Sequence, residues 1–302
     1  MLPQACDCIR VCVPAPTPPF EASWQFFRVL TASFMKIRLG YDMEFETPCD
    51  LAMVAMLYVH PSRLKDLREP DLLETSAGVV KDDYIDSFGN RCARLVVPAG
   101  RLRLHGSTLI EDSGMLDAEG WGAVEHPVAE LPTHTLQFLL NSRYCEVDLL
   151  SPVAHDLFGF SVPGWPRIQA ITQWVHDKVT FGYHFARPTK TALEVFTERS
   201  GVCRDYQHLA ITFCRAMNIP ARYATGYLGD IGVPVAGPMD FSAWFEVYLG
   251  DRWWTVDARH NHARMGRVLM ATGRDASDVA LTTAFGSAQL KTYQVVSDEE
   301  PA

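Results

Sequence analysis

The first half of the chain has the pattern of a series of short strands. From Met35 to about Leu140, β-branched and aromatic residues recur in short segments that are separated by turn signals. The clearest segments read KIRLGYDMEF, VAMLYVH and RCARLVVPAGRLRLHG, and the turn signals include FGN and PAG. No long helical period occurs in this part of the sequence. We therefore predict a β-rich N-terminal region over residues 35–150.

The pattern becomes helical after about residue 150. In PRIQAITQWVHDKV, apolar residues recur at helical spacing, and Pro166 stands at the expected first position. TALEVFTERSG predicts a second, short helix, and a third is predicted to begin at Cys203 and to end before Pro220. Three strands follow, with the sequences ARYATGYLG, FSAWFEVYLG and RWWTVDA. The prediction is an α+β fold in which residues 151–302 form a second domain of helices packed on an antiparallel sheet.

The first 34 residues differ in composition and pattern from the rest. They contain a cluster of Cys6, Cys8 and Cys12 and a PAPTPP stretch. A metal site built from these three thiols would need further ligands, and no second cluster follows. We expect residues 1–34 to be a disordered extension, or to precede a true start at Met35, and to be dispensable for stability.

Composition and charge limit the classes of partner. The 302 residues are 48% hydrophobic, which is typical of a globular protein with a sizeable core. The formal net charge of -9 argues against a nucleic-acid partner. No apolar run is long enough to cross a bilayer, and the first residues lack the basic start of a signal peptide. We expect a cytoplasmic protein with no membrane partner, whose eight cysteines are mostly reduced.

A cysteine stands at the predicted start of the third helix, in the sequence RSGVCRDYQHLAITFCRAMNIPARY. Unpaired backbone N–H groups and the helix dipole stabilise negative charge there, which predicts a lowered pKa for the Cys203 thiol. Gly201 lets the backbone turn tightly just before it. The alternative is a buried structural cysteine, a description that suits Cys214 on the apolar face of the same helix. Cys203 is therefore the candidate nucleophile.

The segment FSAWFEVYLGDRWWTVDARHNH predicts a hairpin with a two-residue turn at Gly-Asp. In that register Trp244 faces Asp257 and Ser242 faces Arg259, so all four positions share one face of the sheet. Position 242 is then a diagonal neighbour of Asp257, at about 7–8 Å. A histidine at 242 would be held by Asp257 and could point at a thiol, but the residue there is serine. Arg259 would either pair with Asp257 or make an ordinary cross-strand contact.

In their chain order, SGVCRDYQHLAITFCRAMNIPARYATGYL and DFSAWFEVYLGDRWWTVDARHN resemble the transglutaminase-like superfamily of papain-type thiol enzymes. The resemblance covers about residues 150–265, and the strand-rich front resembles the N-terminal β-region of bacterial members. In that family a G-x-C-x-D helix start supplies a cysteine, an H-A-W-x-E-V strand a histidine and a W-x-x-x-D strand an aspartate. The resemblance implies that Cys203 is the nucleophile, that Asp257 is the orienting acid and that Ser242 stands at the histidine position.

The resemblance also implies an activity, namely thiol acyl transfer by a peptidase, amidase or transamidase. Cys203 would form a thioester with a peptide or glutamine carboxamide, the substrate would be a peptide or protein, and no cofactor or metal is implied. The alternative is a catalytically retired domain that binds a peptide or protein.

Ser242 departs from the family pattern, because a serine hydroxyl does not accept a proton near neutral pH. Three interpretations stay open: another base, a retired site that serves for binding, or a serine introduced by engineering. The candidate bases are His184, His260 and His262. If the strand continues beyond Asp257, His260 faces away from that carboxylate, whereas a turn after Ala258 would change this.

Overall fold

The computed structural model describes residues 34–301 apart from residue 236. The predictions for residues 1–33, including the cluster of Cys6, Cys8 and Cys12, lie outside the described residues. The described residues belong to one compact unit. No helix among them is long and apolar enough to cross a membrane.

The N-terminal region is built from strands, as predicted. Along β6, Leu102 and Leu104 are buried while Arg101 and Arg103 are exposed, so one face of the strand lies in the core. The strands of this region are β1 (Met35–Thr47), β2 (Leu51–Ala55), β3 (Glu74–Thr75), β4 (Val80–Ile85), β5 (Arg91–Val97) and β6 (Gly100–Asp112).

Helices dominate the middle of the chain. In order, the elements are α1 (Val147–Phe158), α2 (Trp165–Lys178), β7 (Thr180–Phe181), α3 (Ala192–Glu198), β8 (Ser200–Gly201) and α4 (Cys203–Ala216). The three predicted helices are α2, α3 and α4. The sequence pattern did not predict α1, because Pro152 in its interior reads as a helix breaker. Leu150, Ala154 and Phe158 nevertheless form a buried face of α1.

A further four-stranded antiparallel sheet supports the helices. It consists of β9 (Ala221–Leu228), β10 (Ser242–Leu249), β11 (Arg252–Val256) and β12 (Arg267–Gly273), in the order β11-β10-β9-β12. Leu249 lies opposite Arg252, which is the register predicted for the hairpin. Phe213 of α4 and Phe245 of β10 belong to the same buried cluster, so α4 packs on this sheet. The fold is α+β, as the sequence predicts.

The last two strands return to the N-terminal region. They are β13 (Thr282–Phe285) and β14 (Gln289–Glu300), and they complete the sheets β13-β2-β5-β4 and β14-β1-β6-β3. The sheets therefore cross the predicted boundary between residues 150 and 151. Met270 of β12 lies in the same buried cluster as Leu39 of β1, so the N-terminal sheets and the sheet beneath α4 share a core. This packing brings side chains of β1 and β14 close to the start of α4.

Candidate active site

Cys203 is the first residue of α4, and its neighbours fix its position. Asp205 is buried, and its Oδ2 accepts a hydrogen bond from the backbone N–H of Val202 at 3.0 Å. Arg204 forms an ion pair with Asp205 at 3.0 Å. A Cβ atom on Gly201 would lie 2.6 Å from the Cβ of Asp205, so a larger residue would push the helix start away. The charged pair after Cys203 therefore holds the start of the helix.

The Cys203 thiol is protonated at neutral pH. Its side chain is partly buried, and burial raises the pKa of the thiol to about 11, although the positive charge of Arg259 acts in the opposite direction. The predicted lowering of the pKa by the helix start is wrong, because desolvation of the thiolate outweighs the stabilising field. Attack by this sulfur on a carbonyl carbon therefore requires a base.

Asp257 follows β11 directly and is buried. Its Oδ2 accepts a hydrogen bond from Arg267 Nη2 at 2.9 Å and lies 2.8 Å from His260 Nδ1. Its Oδ1 accepts from Gln207 Nε2 at 3.1 Å and from the backbone N–H of Arg259 at 2.9 Å. Burial alone would raise the pKa of Asp257, but the Arg267 guanidinium and the His260 hydrogen bond hold it well below its usual range. Asp257 is therefore ionised.

The chain turns immediately after Asp257. The backbone N–H groups of Arg259 and His260 donate to Asp257 Oδ1, and the N–H of Asn261 donates to the Asp257 carbonyl at 2.8 Å. This turn, stabilised by its own aspartate, brings the His260 ring back to the carboxylate. The extended strand in which Ser242 faces Arg259 and His260 points away is not formed. When Nδ1 of His260 donates to Asp257, Nε2 carries the lone pair that can accept a proton.

A different arginine occupies the place considered for Arg259. The guanidinium of Arg259 lies over the Phe181 ring, 4.0 Å from its centroid. Arg267 pairs with Asp257 instead and also donates to Asp117 Oδ2 at 2.7 Å. Arg267 is buried, so it links two carboxylates away from solvent and fixes the orientation of Asp257.

Ser242 is the first residue of β10 and lies opposite Gly226 on β9. Its carbonyl accepts a hydrogen bond from Thr225 Oγ1 at 3.1 Å. The residue is only 7% exposed, and its Oγ has no hydrogen-bond partner among the described residues. A buried hydroxyl left without a partner costs about 1–3 kcal/mol, so this atom is suited to bind a group that enters the site.

A cleft of about 490 Å³ brings these groups together. Cys203 and Ser242 line it, and so do Arg259, His260 and His262. Asp257 is not part of this lining and reaches the cleft through His260. Of the candidate bases, His260 therefore has both an orienting carboxylate and a place in the lining of the cleft that Cys203 borders.

The other sequence candidates lie in less suitable positions. His184 is exposed, packs its ring against Phe185 at 3.9 Å between centroids and does not line the cleft. His262 lines the cleft, but its Nδ1 lies 2.7 Å from the backbone carbonyl oxygen of His260 rather than beside a carboxylate that would stabilise the imidazolium. Within the described residues, no group of three or more histidine, cysteine, aspartate or glutamate side chains is arranged to hold a metal ion.

Gln207 connects the helix to both strands of the hairpin. Its Nε2 donates to the carbonyl of Ala243 at 3.2 Å and to Asp257 Oδ1 at 3.1 Å, and its Oε1 accepts from the Ala258 N–H at 3.1 Å. Gln207 is not among the residues that the sequence predicted for the site. Its spacing of four residues from Cys203 places both side chains on one face of α4, which is the signal that could have identified it.

Comparison with known proteins identifies the family of the core and a related fold. Residues 159–258 match the model of the transglutaminase-like superfamily core. An uncharacterized protein from Mycobacterium leprae (strain TN) is 27% identical over 216 residues, which cover 65% of this chain and 73% of that protein. A crystal structure of a proposed cysteine protease from Cytophaga hutchinsonii superimposes with a TM-score of 0.78 at 27% identity, over 89% of this chain and 92% of the other. The chain thus contains a transglutaminase-like core, formed by residues 159–258.

Proposed function

We propose that the chain is a thiol acyl-transfer enzyme, a peptidase, amidase or transamidase that acts on a peptide or a glutamine carboxamide. One observation carries the proposal: Cys203 and the Asp257-bound His260 border the same cleft. The transglutaminase-like core supports it. We place the activity in the cytoplasm, where thiols stay reduced, and the five cysteines of the described residues are free thiols.

The reaction proceeds through a thioester on Cys203. The sulfur attacks the carbonyl carbon of the substrate while His260 Nε2 takes the thiol proton. The carbon–nitrogen bond then breaks, His260 returns the proton to the leaving amine, and the acyl group remains on sulfur. Water or a second amine attacks the thioester, His260 accepts the proton of that nucleophile, and the Cys203 thiol is restored by proton return.

Asp257 acts through His260. Its carboxylate stabilises the imidazolium that forms during proton transfer and holds the ring with Nε2 towards the cleft. Gln207 and Arg267 fix the carboxylate in turn, with hydrogen bonds of 3.1 Å and 2.9 Å. This arrangement replaces the histidine that the family places at position 242 with one located three residues after the orienting aspartate.

Ser242 has a different role in this proposal. Its hydroxyl is buried without a partner among the described residues and lines the cleft beside Cys203. It donates a hydrogen bond to the oxygen of the reacting carbonyl, whose negative charge grows as sulfur attacks. Backbone N–H groups at the start of α4, including that of Cys203, are the other donors.

The second candidate function is a retired domain that binds a peptide or protein without cleaving it. It is favoured by the raised pKa of Cys203 and by the serine at the family's histidine position. In that case His260 and Asp257 would only stabilise the turn after β11.

The test is a trapping experiment with a blocked glutamine peptide, offered with and without a primary amine. Wild-type protein should release ammonia or amine, and acid-quenched samples should carry the acyl mass on the peptide that contains Cys203. Cys203→Ala should show neither, whereas Cys49→Ala, which changes an exposed cysteine outside the cleft, should behave as wild type. Equal binding of the peptide by wild type and Cys203→Ala, without product or acyl mass, would reject the enzyme and favour the binding domain.

A further inference from the structure

A second cleft meets the first one at the reactive thiol. Its volume is about 660 Å³, within the range of pockets that accept small ligands. Cys203, Asp240, Phe241 and Ser242 line both clefts, so the two form one continuous groove with the thiol at the junction. We call the second part the apolar cleft. Its apolar lining includes the side chains of Met43, Phe45, Tyr223, Val279, Leu281 and Leu290.

The apolar cleft is assembled from distant parts of the chain. Phe45 of β1 and Leu290 of β14 are direct partners in the N-terminal sheet. Val279 precedes β13, and Tyr223 belongs to β9 beneath α4. Phe45, Tyr223 and Val279 are buried, whereas Leu290 is 47% exposed at the edge. The N-terminal sheet therefore supplies one wall of the groove that leads to Cys203.

Polar groups around the apolar cleft are already engaged within the protein. Asp240 accepts a hydrogen bond from the Tyr293 hydroxyl, and Arg204 is paired with Asp205. The unpartnered hydroxyl of Ser242 lies at the junction of the two clefts. On the other side of the junction the lining carries Arg259, His260 and His262. On one side of the thiol the groove is lined mainly by apolar side chains, whereas on the other side apolar residues such as Phe181 and Leu228 are joined by charged and titratable groups.

We propose that the substrate carries an apolar side chain, aliphatic or aromatic, next to its reacting carbonyl, and that this side chain occupies the apolar cleft. The proposal rests on the proposed function, because it takes the Cys203 sulfur as the attacking atom. Removing such a side chain and the exposed part of Leu290 from water favours binding. The carbonyl oxygen then reaches the Ser242 hydroxyl, which the described residues leave unpaired.

The apolar cleft can be tested independently of turnover by alkylation. Labelling rates of Cys203 are measured by peptide mapping at one fixed pH, with iodoacetamide and with N-benzyl iodoacetamide. The ratio of the two rates cancels the thiolate fraction, and exposed Cys49 provides an internal reference. We expect the benzyl reagent to be favoured at Cys203 by about tenfold over Cys49, the factor that corresponds to 1.4 kcal/mol.

Two variants place a charge in the apolar cleft, namely Leu290→Glu at its exposed edge and Ala280→Asp in its lining. Each should reduce the preference at Cys203 to near the value at Cys49. Val96→Glu, at an exposed strand position outside the cleft, should leave it unchanged. Equal ratios at Cys203 and Cys49 in wild type, or a preference that survives both variants, would overturn the proposal. A preference for the benzyl reagent in a protein that turns over no peptide would support the apolar cleft while contradicting the proposed function.

Discussion

For individual residues of this protein, burial and the neighbouring charges that offset it determine which groups are protonated. Asp257 is buried and Cys203 is partly buried, but the carboxylate has Arg267 at 2.9 Å and stays ionised. Burial raises the pKa of the thiol to about 11, although the positive charge of Arg259 acts in the opposite direction. The site at rest therefore contains a carboxylate and a thiol rather than a thiolate. In the proposed reaction the thiol proton then passes to His260, which is held by Asp257 and lines the same cleft as Cys203.

Burial also shifts the pKa of His208, and this shift makes the stability of the protein depend on pH. His208 is buried, its Nε2 accepts from the Ala276 N–H at 3.1 Å, and its ring stacks on Tyr144. Burial lowers the pKa of His208 to about 3, although Asp275 acts in the opposite direction. The unfolded chain, with a histidine pKa of about 6.5, binds this proton first as the pH falls. Stability should therefore decrease from about pH 6.5 towards pH 3, by up to about 1.4 kcal/mol per pH unit.

Urea unfolding of wild type and His208→Gln between pH 7 and pH 5 checks this prediction, because few carboxylates titrate in that window. The variant keeps a hydrogen-bond acceptor for Ala276 but has no titrating group. Its free energy of unfolding should depend less on pH than that of wild type. Parallel pH profiles for the two proteins would show that the buried ring is not responsible.

At the scale of elements, the site depends on the hydrogen bonds between α4 and the β10–β11 hairpin. Gln207 forms three of them, to Ala243, Asp257 and Ala258. The turn after β11 then depends on Asp257, which accepts backbone hydrogen bonds from Arg259 and His260. The position of His260 is therefore set by the same carboxylate that orients its ring.

Gln207→Leu tests the importance of these hydrogen bonds. It removes three hydrogen bonds from a buried site and leaves Asp257 with one partner fewer. We expect the free energy of unfolding to fall by about 2 kcal/mol, and kcat to fall with KM nearly unchanged, because the substrate still meets the same cleft. Gln137→Leu, at an exposed position, should change neither quantity. If Gln207→Leu kept the stability and kcat of wild type, the hydrogen bonds of Gln207 would not be needed for the site.

Some elements could be predicted from the sequence and others could not. The β10–β11 register follows from alternation and a two-residue turn, both of which are local signals. The turn that brings His260 to Asp257 depends on one aspartate side chain competing with continued strand pairing, and the hydrophobic pattern does not reveal that outcome. The position of Cys203 at the helix start was predicted correctly, but its pKa is raised where a lowering was predicted, because burial is a property of the packed molecule.

At the scale of the whole molecule, the C-terminal strands tie the transglutaminase-like core to the N-terminal sheets. β14 pairs with β1 along Lys36–Glu46, and this pairing joins residues at opposite ends of the described chain. The sequence pattern could not show it, because strand alternation does not specify a distant partner. The same pairing forms one wall of the apolar cleft, so the proposed binding of substrate and the closure of the N-terminal sheet involve the same strands.

Truncation after residue 288 tests the contribution of β14. The change removes one of the two strands that pair with β1, and with it the buried side chains of Val295 and Ser297. The truncated chain should lose its cooperative thermal transition, followed by circular dichroism in the near and far ultraviolet. Removal of residues 301 and 302 alone should leave the melting temperature unchanged. A cooperative transition near the wild-type temperature after the longer truncation would show that β14 is dispensable.

The pairing of Cys203 with His260 is the central claim, and the single-turnover rate of Cys203 acylation tests it most directly. An activated ester is mixed with excess enzyme, and the acyl mass is followed over time for wild type, His260→Ala and His184→Ala. Because general-base assistance is worth about 10²–10⁴-fold, His260→Ala should acylate at least about 100 times more slowly than wild type. His184→Ala, which changes a histidine outside the cleft, should match wild type. Acylation of His260→Ala at the wild-type rate would contradict the account.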